Sequence, residues 1–367
     1  RCYGAREYDE FRRIARNAFG AIPLVGIALM IPSMLLVPQV LDVINTPADI
    51  YVGAEQYLRS YLFAMPAIAV FNIGSGILRA VGDSKRPVAI LMATSVLNIV
   101  LDLIFIGGLG FGIVCSAVTT VAAEAASAVL AMVYMVRRVP QLCPQRGQWR
   151  IRPELLGPVL RYGAVTALQQ AVQPICKLLI LGQVNALGVQ VIAAFNAATR
   201  VDDFAFTPEQ SLAAAITTYI AQNRGAGQKQ RIRPGFAAGL QLELGYWVLV
   251  GSVTWCLRKP MIALFVSGQG AQSVVEQGAA YLGCMAVLYG LPALTNGFQG
   301  FYRGMGKMTT TLLGTCTQAG LRALFAALLA PRVGLPGIAA ACALGWAAML
   351  LFEVPYYFYT CRKQGIR

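Results

Sequence analysis

Long uncharged apolar stretches alternate with short polar, basic segments along the whole chain. No charge occurs from Asn17 to Leu41, Ser60 to Leu78, Leu103 to Ala123, Leu178 to Thr199, Gln277 to Tyr302 or Val333 to Phe352. About 20 mostly apolar residues cross a bilayer as a helix. With the Gly and Pro breaks between runs, the pattern predicts ten membrane-spanning helices, at 18–41, 57–79, 87–107, 112–136, 160–182, 190–221, 234–257, 279–302, 308–330 and 336–361. The predicted fold class is therefore all-α, a polytopic membrane protein.

The basic residues test this reading. They fall in alternate loops: Arg1 to Arg16; Arg79, Lys85 and Arg86; Arg137 to Arg161; Arg224 to Arg233; Arg303 and Lys307; Arg362 to Arg367. These positions hold 23 of the 30 Lys and Arg; Arg258, Lys259 and Arg332 are exceptions in the opposite loops. Such a bias is the positive-inside pattern, and it predicts that both ends of the chain face the cytoplasm. The net charge of +14 then marks membrane orientation rather than nucleic-acid binding. Charged residues make up 13% of the 367, half the share of a soluble domain. There is no histidine, which excludes Ser-His-Asp triads and HExxH zinc sites. Nine cysteines stand singly in mostly apolar surroundings and read as small hydrophobes. The expected protein is not an enzyme, and a monomer is expected.

Two segments repeat. Asn72, Gly76, Arg79 and Gly82 recur 224 positions later as Asn296, Gly300, Arg303 and Gly306. Tyr57-Leu58 recurs as Tyr281-Leu282 and Gly112-Ile113 as Gly337-Ile338. Residues 160–221, two predicted helices, have no counterpart in the first half. The repeat therefore predicts twelve helices, six in each of two parallel repeats, with two lying upstream of Arg1. Residues 1–136 would be an N-terminal lobe (helices 3–6), 137–159 a cytoplasmic linker, and 160–367 a C-terminal lobe (helices 7–12).

The stretch Gly76-Ile77-Leu78-Arg79-Ala80-Val81-Gly82-Asp83 resembles the loop signature after the fourth helix of the multidrug and toxic compound extrusion (MATE) family. Asn98-Ile99-Val100-Leu101-Asp102 is similar to its fifth helix. Ala194-Phe195-Asn196, Arg200-Val201-Asp202-Asp203-Phe204 and Gln222 to Gly227 resemble its eighth helix and the loop after it. The resemblance runs over essentially the whole chain and has a bacterial flavour. It implies two six-helix lobes forming a V, and efflux of drug-like compounds in exchange for Na⁺ or H⁺, with no other cofactor. The partners implied are small organic molecules and the lipid bilayer.

A charge at the bilayer centre costs at least about 2.5–3.5 kcal/mol, so charged residues within spans are candidates for function. Asp102 leads them. Asn98, four residues earlier, shares its helix face. Counted from the Gly107–Gly112 turn, Asp102 and Thr120 lie about 12 and 15 Å deep on adjacent helices. A carboxylate, an amide oxygen and a hydroxyl make an all-oxygen nest for a hard cation, with Asp102 and Asn98 as Na⁺ ligands. In low dielectric the same carboxylate can take a proton instead. The resemblance implies a cation site of this kind, with an Asn on the fourth helix; Asn72 fits, and Ser75 is an equal register. It also implies an Asp on the first helix, which this chain lacks, and acids on the seventh and tenth helices in some branches, which are absent here.

Gln170, Gln173, Asn296, Gln299 and Arg200 are candidates to line a substrate cavity, with Gln169 beside Gln173 at helical spacing. Arg322 stands where the 224-residue offset places Asn98, so a fixed positive charge there could take the part of a bound cation. The expected function is a secondary antiporter that exports amphipathic or cationic organic compounds by alternating access. The alternatives are a flippase of lipid-linked precursors, which would need Arg200, Lys177 and Arg322 to converge, and a truncated membrane protein that does not transport.

Overall fold

The structure, a computed structural model, describes residues 1–43, 46–138, 153–266 and 271–366. The middle of the predicted linker, 139–152 with Arg146, Arg150 and Arg152, lies outside the described residues, as does Arg367. Twelve α-helices and no strand occur among the described residues. The chain divides into two compact units, Arg6–Leu160 and Arg161–Arg367, the second joined by Tyr3–Ala5.

In the first unit, α1 (Tyr8–Val43) runs 36 residues through Pro23, Pro32 and Pro38. The expected single span at 57–79 is instead two helices, α2 (Ala48–Leu62) and α3 (Met65–Ala80), bent by 41°. Pro66, in the first turn of α3, has no amide hydrogen to continue the ladder. Tight turns at Phe63 and Ala64, bonding Ser60 and Tyr61, close the gap. The next helix, α4 (Lys85–Asp102), continues as a π-helical turn over Leu103–Gly108 before α5 (Ile113–Arg138). α3 packs on α5 through small residues: a Cβ added to Gly74 would sit 3.4 Å from the Ala131 methyl. Without a hydrophobic drive between helices in lipid, close packing of this kind holds spans together.

The second unit contains α6 (Pro153–Asn185), α7 (Val189–Gly225), α8 (Lys229–Ala263), α9 (Ala271–Leu288), α10 (Gly290–Gly304), α11 (Met308–Val333) and α12 (Leu335–Gln364). The expected span 279–302 is again two helices, α9 and α10, bent by 45° before Pro292. An aromatic core of Phe236, Phe298, Phe301 and Tyr357, with ring centroids 4.8–5.7 Å apart, ties α8, α10 and α12 together.

Among the described residues seven helices are long and apolar enough to cross a membrane, or nine when each bent pair counts as one span. The sixth expected span, 190–221, is present as α7. It is missing from that count because Arg200, Asp202, Asp203 and Glu209 lie within it.

Two turns share a backbone feature with turns 224 residues later. Gly82 (φ 93°) and Gly306 (φ 71°), 224 residues apart, both adopt the left-handed region, as do Gly110 (φ 67°) and Gly334 (φ 71°). After Gly82, Asp83 accepts the Arg86 amide hydrogen at 3.3 Å and the Tyr134 hydroxyl at 2.9 Å, fastening the α3–α4 turn to α5. After Gly306, Lys307 donates to Thr360 at 2.8 Å and Tyr356 at 3.2 Å, fastening the α10–α11 turn to α12. The device recurs with the opposite charge.

Gly82→Ala forces a side chain into a positive φ and should destabilise the protein by about 1 kcal/mol or more. Gly76→Ala lies in helix with open space around its Cβ and should stabilise by up to about 1 kcal/mol. Denaturation of the two variants in detergent, read by loss of helical signal, measures both.

Candidate functional site

Asp102 is the last residue of α4, where the α-helix widens into the π turn. A π turn adds one backbone group per turn and turns the side chains around it, and such bulges recur at functional sites. The Asp102 side chain thereby meets α5. Thr119, only 4% exposed, donates its hydroxyl to Asp102 Oδ1, and Ser116 donates to Oδ2 at 3.4 Å. Asn98 Nδ2 reaches Thr119 Oγ1 and Thr120 Oγ1, each at 3.4 Å. Thr120 bonds the Ser116 carbonyl at 2.8 Å. Asn98, Asp102 and Thr120 are thus gathered in one cluster, and Thr119 and Ser116 are members that spacing alone did not select. Asn72 is exposed on α3 and, among the described residues, makes no hydrogen bond to the cluster; Ser75 beside it is buried. No Lys or Arg pairs with Asp102 among the described residues. The carboxylate is surrounded by hydroxyl and amide groups, all neutral.

The second unit treats its buried acids differently. Asp202 of α7, 5% exposed, accepts the Tyr289 hydroxyl at 2.6 Å and the Tyr281 hydroxyl at 3.2 Å. Arg322 of α11 stands near the same carboxylate, beside Cys342. Glu353 of α12 is fully buried and accepts Gln299 Nε2 at 2.7 Å. Gln299 in turn accepts Gln169 Nε2 at 3.0 Å, and Gln169 also donates to Thr315 at 2.9 Å. Gln169, a companion residue in the sequence reading, is therefore the centre of an amide network joining α6, α10, α11 and α12.

The remaining cavity candidates separate. Gln170 and Gln173 are exposed on α6, with Gln173 3.5 Å from Gln318. Gln299 is buried in the network, and Asn296 donates to Glu209 of α7 at 3.4 Å. Arg200 is exposed and lies over the Phe265 ring, while Asp203 is taken by Lys177 at 3.3 Å. A cavity of about 340 Å³ does open in this unit between α8 and α9. It is lined by Trp247, Trp255, Gly251, Ala286 and their neighbours, and none of the five candidates borders it.

Known proteins supply the context for these clusters. The MatE family model matches residues 1–104 and 166–328. The chain is 26% identical over 322 residues to the probable multidrug resistance protein YpnP of Bacillus subtilis, covering 87% of this chain and 71% of that one. It is 25% identical over 274 residues to the probable multidrug resistance protein YoeA of the same organism, covering 73% of this chain and 59% of the relative. Among solved structures it superposes on a MOP superfamily transporter from Pyrococcus furiosus, whose reversed pocket polarity suggests a different function for that protein. The TM-score is 0.90 at 20% identity, over 99% of this chain and 82% of the other, a likeness of fold. The matched family model spans well over half of the residues, and its relatives are transporters: this chain is a multi-pass membrane protein of the MatE family of multidrug efflux transporters.

Proposed function

We propose that the protein is a secondary antiporter. It exports amphipathic or cationic organic compounds in exchange for Na⁺ or H⁺, with both chain ends in the cytoplasm and Asp102 as the coupling group. The observation that carries this reading is the Asp102 cluster: an acid between two spans, held by the hydroxyls of Thr119 and Ser116 and by no basic side chain. A charge in that position is tolerated only where it meets water, a cation or a proton.

Coupling follows from the same contacts. Empty, Asp102 draws the α5 hydroxyls toward α4. A cation or proton neutralises the carboxylate and competes for those hydroxyls, so the fit between α4 and α5 differs in the two states. An ion shifts a conformational equilibrium only by its difference in affinity for the two conformations, and this site supplies one. Lobes at 1–136 and 160–367, rocking about the linker, would turn that shift into alternating access. The three basic groups that the flippase alternative needs are engaged separately among the described residues: Lys177 is paired with Asp203, Arg200 covers Phe265, and Arg322 stands near Asp202.

In proteoliposomes holding the whole protein, a Na⁺ or proton gradient should drive efflux of a fluorescent cationic dye. Asp102→Asn should cut the driven component by roughly 5–150-fold, the range of a coupling free energy of about 1–3 kcal/mol. Undiminished efflux by the variant would remove Asp102 from the mechanism.

The two threonines make a sharper comparison. A hydrogen bond to a charged group contributes about 1.5–3 kcal/mol, so Thr119→Val should shift the apparent affinity for the driving ion about tenfold or more. Thr120→Val removes a hydroxyl bonded to a carbonyl and to Asn98, and should shift it no more than about threefold. Dye efflux at graded ion concentrations reads both. Equal effects would mean that Asp102 is not the group the ion competes for.

A further inference from the structure

Glu243 of α8 is 0% exposed, and neither of its carboxylate oxygens has a hydrogen-bond partner. α8 packs on α7 with Gly235 against Tyr219, Gly239 against Ile216 and the Tyr246 hydroxyl on the Ala205 carbonyl, a register that brings Glu243 level with Glu209 of α7, itself 1% exposed. Glu209 accepts a single hydrogen bond, from Asn296 of α10 at 3.4 Å. Its other titratable neighbours are neutral phenols. Tyr246 of α8 donates its hydroxyl to the Ala205 carbonyl at 3.1 Å, and Tyr289, between α9 and α10, donates to Asp202 at 2.6 Å. No Lys or Arg is paired with either glutamate among the described residues.

Two bare carboxylates cannot both be ionised in such a place. Removing one charge from water costs several kcal/mol even after relaxation, and like charges side by side add repulsion. Neighbouring carboxyl groups resolve this by sharing a proton. A metal cation is the other remedy, but a hard cation asks for a shell of about six oxygens. Asn296 turns its NH₂ group, not its oxygen, toward the pair. The hydroxyls of Tyr246 and Tyr289 are already directed elsewhere. A proton needs no shell.

We propose that Glu209 and Glu243 form an exchangeable proton-binding site inside the Arg161–Arg367 unit, distinct from Asp102. One of the two carboxyls carries the proton, which leaves when the site meets water. The buried, partnerless Glu243 carboxylate on a helix packed against α7 carries this, whether or not Asp102 couples transport. Asp202, which holds the Tyr289 hydroxyl, lies seven residues before Glu209 on the same face of α7, about 10.5 Å along the axis. Protonation of the pair therefore sits about two turns from a second buried acid.

The test is infrared difference spectroscopy of the whole protein in lipid nanodiscs, stepped between acidic and alkaline pH. Wild type should show a carboxylic-acid carbonyl band that is lost on the alkaline side. Glu243→Gln and the double variant Glu209→Gln/Glu243→Gln should lose that band, Glu243→Asp should keep it at a shifted frequency, and Asp102→Asn should leave it in place. The Gln side chains preserve shape, so folding is checked by the helical amide band in the same spectra. If Glu243→Gln does not fold, Glu209→Gln alone should shift or abolish the band. A band unchanged in the double variant, one lost only with Asp102, or one that ignores pH throughout the folded range would overturn the site.

Discussion

Hydrocarbon gives no hydrogen bonds, so every polar group inside the membrane must find its partner within the protein. That constraint decides the architecture of this chain. Backbone groups are satisfied by helices, which is why the described residues contain no strand. It also decides where the acids go. Asp202, Glu209, Glu243 and Glu353 are each at most 5% exposed. Each lies in a helix that packs within the second unit rather than on the apolar face of a free span.

The same constraint explains the bends. A helix broken in a membrane exposes carbonyl and amide groups, so breaks occur only where other contacts close them. At Phe63 and Ala64 the gap is closed by tight turns onto Ser60 and Tyr61; at Tyr289 the amide still bonds Met285 and the carbonyl accepts from Ala293. Tyr289 is fully buried at its own bend and gives its hydroxyl to Asp202. The break thus places a donor at the depth of a buried acid, which an unbroken helix with the same sequence would carry to a different side. The Asp102 site uses the milder distortion of a π turn for the same end. In both units a local irregularity of the backbone is what brings a carboxylate and its hydroxyl donors together.

Much of this was legible in the sequence, because membrane spans are written in composition. The apolar runs gave the spans to within a few residues at 87–107 and 112–136. At 18–41 the helix starts ten residues earlier, since the basic stretch from Arg12 to Arg16 is helical too. The repeat was readable from matching residues, and two of them, Gly82 and Gly306, both adopt a positive φ. Depth along a helix was also readable, and it brought Asp102 near the depth of Thr120. Rotation was not. Adjacent residues differ by about 100° around the axis, and a π turn next to Asp102 moves the phase further. Counting alone therefore preferred Thr120, whereas the hydroxyl on the carboxylate belongs to Thr119. For the same reason nothing in the sequence brings Glu209 and Glu243 together. Their meeting depends on how α7 and α8 are turned, and neither helix has an apolar stripe sharp enough to fix it.

The acids of this chain differ in how far the protein itself answers their charge. Asp202 has two phenols and a nearby guanidinium, whereas Glu353 has an amide on one oxygen and no partner on the other. A group such as Asp202 is finished: adding an ion would displace partners already in place, and its removal should be felt as lost packing. Asp102 has hydroxyls only, and Glu243 has no donor at all. A carboxyl in hydrocarbon surroundings that the protein leaves unanswered must be answered by something that arrives, and what arrives can also leave. The distinction between structural and exchangeable acids therefore does not rest on burial, since Asp202 and Glu243 are both buried. It rests on the partners, which is why exchange is proposed at Asp102 in the first unit and at Glu243 in the second.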